Sequence, residues 1–162
     1  MIFDGFGKTI VKMIQIVMRE ITKEYIKEVF DECNRLYFDD QLKNCKFSLF
    51  KTKRRKGYCY FKTVNGKIHG RIGIAKNVIW NEDTFKEMVI HEMIHLYNKQ
   101  IENVSPSCFC HNWHFRRKLK ELNKKYGLHM TICHPNIYCI KEHVPSTFYG
   151  NLIRRIRFEL CI

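Results

Sequence analysis

His91-Glu92-Met93-Ile94-His95 places two imidazoles four residues apart with a carboxylate beside the first. On an α-helix, residues i and i+4 lie one above the other on the same face, so both rings reach one cation. Glu92 follows directly and lies close enough to poise a water at that cation. This is the pairing that metal-assisted hydrolysis needs: a Lewis acid for the carbonyl and a base for the water. The pattern also occurs by chance, and two histidines with a glutamate can form no more than a buried polar cluster. A catalytic zinc site typically has three protein ligands and one open position, so a further ligand is required downstream. Cys108-Phe109-Cys110-His111-Asn112-Trp113-His114-Phe115 offers two, His111 near a helix start and His114 one turn on.

The geometry depends on a helix, and the flanking residues predict one. Thr84-Phe85-Lys86-Glu87 reads as a capping box, in which the threonine hydroxyl takes an orphan amide and the glutamate reaches back. Phe85, Met88, Val89, Met93, Ile94, Leu96 and Tyr97 keep most of that helix apolar, as in a buried one. Pro106 and its neighbouring serines mark a loop, after which Trp113 to Tyr126 resumes helical spacing through Phe115, Leu119 and Leu122. Upstream, Ile10 to Tyr37 predicts one long helix or two shorter ones. Three strands are expected between: Lys46 to Thr52, Gly57 to Val64 and Lys67 to Ala75, the last two joined by a hairpin at Asn65-Gly66. Thr131 to Ile140 and Leu152 to Ile162 are candidates for further strand. The fold class expected is α+β: an N-terminal helix, a small three-stranded sheet, the metal helix and a supporting helix.

Four stretches in this order resemble the SprT-like family, which includes the Spartan proteases. His91 to Tyr97 is similar to the family's His-Glu-Met-Ile-His-Ala-Tyr run. His111 with Phe115 matches its His-Gly-x-x-Phe/Trp stretch, and Tyr37-Phe38-Asp39-Asp40-Gln41-Leu42 its Tyr-Phe-x-x-x-Leu signature. The resemblance covers residues 25–130 and implies a zincin-like fold there; the flanking residues are expected to form a helical extension (1–24) and an extension packed on the same domain (131–162). It implies one catalytic Zn2+ held by His91, His95 and His111, with Glu92 as the base. The activity implied is that of an endopeptidase acting on DNA-associated or DNA-crosslinked proteins. Two departures touch no ligand: Asn112 stands where the family has glycine, and Leu96 where alanine is common. The paired Cys-x-x-Cys motifs of a zinc ribbon, present in several members, are absent from the sequence.

Charge is the other informative property. Twenty-nine Lys and Arg against sixteen Asp and Glu give +13, in clusters suited to phosphates. One cluster, Lys51-Thr52-Lys53-Arg54-Arg55-Lys56, immediately precedes Tyr58, Tyr60 and Phe61, joining cations to rings that stack on bases. Another comprises Arg116, Arg117, Lys118, Lys120, Lys124 and Lys125, and a third Arg154, Arg155 and Arg157. Lys53, Arg54, Arg55, Lys56, Tyr58, Arg116 and Arg117 are the candidate nucleic-acid contacts, with single-stranded or damaged DNA the expected partner beside a protein substrate. Basic runs also serve simply as solvated faces.

Eight cysteines without a recognisable signal peptide fit a reducing cytoplasm and free thiols. Cys110, Cys133, Cys139 and His143 form a loose cluster that offers ligands for a second metal, but its spacing matches no standard zinc knuckle and scattered structural thiols are the preferred reading. No apolar stretch approaches the ~20 residues that cross a membrane. A second class of function stays open: a nucleic-acid-binding module that holds zinc as a staple and cleaves nothing.

Overall fold

The computed structural model describes residues 21–52, 55–104 and 111–132. The expectations for residues 1–20, for Lys53 and Arg54, for the basic cluster at 154–157, for the C-terminal strands and for Cys110, Cys133, Cys139 and His143 lie outside them. The first helix described, α1 (Lys23–Tyr37), starts where Thr22 turns to extended backbone. The Thr22 hydroxyl accepts the Tyr25 amide at 3.1 Å, so no continuous helix runs through this point. Beyond α1, Asn34 accepts the Leu42 amide and donates to the Leu42 carbonyl. That double bond folds the Tyr37-to-Leu42 stretch back and seats Phe38 and Leu42 in the core. The stretch with the family-like signature is therefore structural.

Three strands follow: β1 (Cys45–Phe50), β2 (Gly57–Val64) and β3 (Lys67–Ala75). β3 is central, paired parallel with β1 and antiparallel with β2. The expected hairpin is present. Asn65 and Gly66 have φ of 50° and 72°, the positive pair that a two-residue turn of this hand requires. Strand alternation splits the sheet into two faces. Phe47, Leu49, Cys59, Phe61, Ile72 and Ile74 pack into or against the core, whereas Lys46, Tyr60, Lys62 and Arg71 are exposed.

On the exposed face, Gly73 sits in register between Ser48 and Tyr58. The Tyr58 ring lies over it, and the phenol oxygen is 2.8 Å from Ser48 Oγ. A Cβ at Gly73 would collide with that ring. Gly73→Ala is therefore expected to destabilise the protein by about 1–3 kcal/mol, as overpacking does, in a denaturant titration. Adding Tyr58→Ala should remove the steric part of that cost.

The central helix, α2 (Glu82–Gln100), is capped by Asn81, not Thr84. Asn81 Oδ1 accepts both the Thr84 amide and the Thr84 hydroxyl at 2.7 Å, so the threonine supports the cap instead of forming it. Glu82 and Asp83 in the first turn reinforce this start through the helix dipole. α2 contacts β2, β3, α1 and the last helix, α3 (Trp113–Tyr126), which explains its nearly all-round burial. Asn112 caps α3 and Gly127 ends it in the left-handed conformation. The architecture is α+β, as expected. Among the described residues no helix is long and apolar enough to cross a membrane.

Candidate metal centre

α2 supplies two imidazoles and the carboxylate, with His91 and Glu92 both buried. The third imidazole comes from His111, just ahead of α3. One ligand atom from each of His91, His95 and His111 lies within 4.8 Å of the others. The Nε2 atoms of His91 and His111 are 2.9 Å apart. Phe115, fully buried in the first turn of α3, packs its ring centroid 4.6–4.8 Å from all three imidazole centroids. Local bonds hold the two residues that enter α3: Asn112 accepts the Phe115 amide, and Arg116 Nε donates to the His111 carbonyl at 3.1 Å.

His114 points elsewhere. Its Nδ1 is 2.9 Å from Glu102 Oε2, and Arg117 donates to the other oxygen of that carboxylate. Of the two candidates left open by the sequence, His111 joins the pair on α2 and His114 joins a surface ion cluster. Spacing alone did not separate them, because Glu102 belongs to a different element.

Burial holds the His95 imidazole down at about 4, with the neighbouring His111 adding to the effect. Burial, then the charge of Arg116, also lowers His111. Neutral rings offer lone pairs, which is the state that binds metal. In a tetrahedral site with Zn–N bonds of about 2.0–2.1 Å the nitrogens stand about 3.4 Å apart, so the 2.9 Å separation and the 4.8 Å limit bracket the spacing required. An all-imidazole donor set suits a divalent transition metal. The residues fit such an ion.

Glu92 is enclosed, and burial pushes its carboxyl up to about 8 against the opposing charge of Arg55. The enclosure comes from β2. A Cβ at Gly57 would stand 2.5 Å from Glu92 Oε1 and 2.8 Å from Met88 Sδ. The first residue of β2 thus has to lack a side chain for the carboxylate to fit beneath it. Neither Gly57 nor the seating role of Phe115 was apparent in the sequence. A strand-initial glycine marks a close backbone approach, but not to what.

Of the candidate nucleic-acid contacts, Arg55 donates to the Tyr60 hydroxyl at 3.2 Å. Lys56 lies just before β2, and Tyr58 is half-buried under its bond to Ser48. Arg116 and Arg117 are engaged locally, the latter also 4.7 Å from the Trp113 ring. Cys33 and Cys45 are thiols pushed up to about 12 by burial, and burial raises Cys59 as well, so all three are poor nucleophiles.

An α+β domain whose central helix carries His-Glu-x-x-His, joined by a third imidazole from the next helix start, is a metallopeptidase-type domain. A family model for the SprT-like family matches residues 26–134, and the chain belongs to that family. No curated protein matches the chain.

Proposed function

We propose that this protein is a zinc-dependent endopeptidase of SprT-like type, with a zincin-like arrangement, that acts in the cytoplasm on DNA-associated or DNA-crosslinked proteins. The observation that carries the reading is the convergence of His91, His95 and His111 beside a buried Glu92. A structural staple has no use for an enclosed carboxylate next to its ligands, whereas hydrolysis has. His91, His95 and His111 would hold the ion, which when bound polarises the scissile carbonyl and lowers the pKa of water toward ~7. Glu92, as the carboxylate that the positive charge of a bound ion would favour over the neutral acid, takes the proton of the attacking water and returns it to the leaving amine. Gly57 and Met88 fix where that carboxylate stands. The chain's charge of +13 supports the DNA part of the reading.

The test is zinc content, followed by cleavage of a DNA-binding protein with and without single-stranded DNA. Zinc-dependent cleavage that rises with DNA supports the reading. Zinc without cleavage favours a binding module, and cleavage indifferent to DNA removes the DNA association. Gly57→Ala is expected to keep the metal while slowing cleavage up to about 100-fold, since a displacement of order 1 Å in a catalytic group costs that much. Metal content and single-turnover rates check it.

A further inference from the structure

We infer that the solvent face of the sheet is a binding platform for single-stranded DNA, centred on Tyr60. Every residue of the three strands is non-acidic. The exposed face instead presents Lys46, Arg71 and Lys62, with Lys46, Arg71 and Tyr60 side by side in register across β1, β3 and β2. No ion pair among the described residues engages Lys46, Lys62 or Arg71.

Aromatic rings stand among these cations. Tyr60 is 57% exposed, on the central row of a sheet face where an apolar ring gains nothing from burial. The Tyr58 ring lies across Gly73 with its centroid 4.7 Å from that of Tyr60, which gives the exposed ring a fixed support. Cations alone would suit any polyanion. Cations spaced around an exposed, braced ring suit one that carries both phosphates and bases, because a base stacks on the ring while the backbone meets the charges. Duplex DNA keeps its bases stacked on each other, so a single strand is the form that fits.

Arg55 donates to the Tyr60 hydroxyl and sets a further cation beside the exposed ring. The proposal takes from the peptidase reading only the choice of DNA as the nucleic acid.

Binding of fluorescein-labelled oligothymidylate, read by anisotropy on the full chain carrying Glu92→Gln, tests it without any proteolysis. A loss of the peptidase reading therefore leaves this result standing, and the converse. Tyr60→Ala is expected to weaken binding about tenfold or more, and Tyr60→Phe to change it by less than about twofold, because stacking uses the ring. Arg71→Ala should lower the slope of log affinity against log salt by about 0.7. Lys23→Ala, exposed at the start of α1, should change neither. Equal binding by the Tyr60→Ala protein overturns the proposal. So does equal affinity for the matching duplex or for single-stranded RNA, or displacement of the strand by poly-glutamate as effective as by unlabelled oligonucleotide.

Discussion

Glu92→Gln protein is expected to bind zinc as the parent does and to cleave protein about 10²–10⁴-fold more slowly, the range that a positioned general base contributes. The amide is nearly the same size as the carboxylate, so it fits under Gly57 and beside Met88 without displacing either. It has no lone pair basic enough to take a proton from water. Retained zinc together with lost turnover separates this effect from damage to the site. Metal analysis alongside initial rates on a denatured protein substrate gives both numbers from one preparation. Undiminished cleavage would remove Glu92 from the chemistry.

His95→Ala is expected to abolish both zinc binding and activity, and to remove the stabilisation that zinc confers. Any ligand that binds only the folded state stabilises it, by about 2.7 kcal/mol at a hundredfold excess over its dissociation constant. Adding zinc should therefore raise the parent's thermal midpoint, and a chelator should reverse the rise. The His95→Ala protein should melt at the same temperature with and without the metal. His95 is the informative position because its ring packs on both His111 and Phe115, while His91 and His111 keep their mutual contact when it is removed. A zinc-dependent midpoint that survives in the variant would place the ion elsewhere.

Much of the domain was legible because its signals are local. The turn at Asn65-Gly66, the extents of β2, β3 and α3, and the burial of α2 all follow from residue type and period over a few positions. The start of α2 was misplaced for a local reason too. Thr84 and Glu87 have the form of a capping box, but Asn81 followed by two acidic residues forms the stronger cap. What remained illegible depends on distant elements. The placement of β3 between its neighbours, with β1 parallel to it, is a pairing between separate elements that no strand's own pattern specifies. Residue spacing alone does not separate His111 from His114, which only the family resemblance does, and the contact that occupies His114 is with the distant Glu102; the seat of Glu92 depends on Gly57. Sequence reasoning also grouped Tyr58, Tyr60 and Phe61 as one aromatic set. The fold separates them: Phe61 joins the core, Tyr58 lies flat on the sheet and Tyr60 faces solvent.

Anomalous diffraction at the zinc edge from crystals of the zinc-loaded protein tests the central claim most directly. A single peak about 2.0–2.1 Å from one ring nitrogen each of His91, His95 and His111 is the expected result. A peak at His114 and Glu102, or at a thiol cluster, with the three imidazoles left unligated, would contradict it.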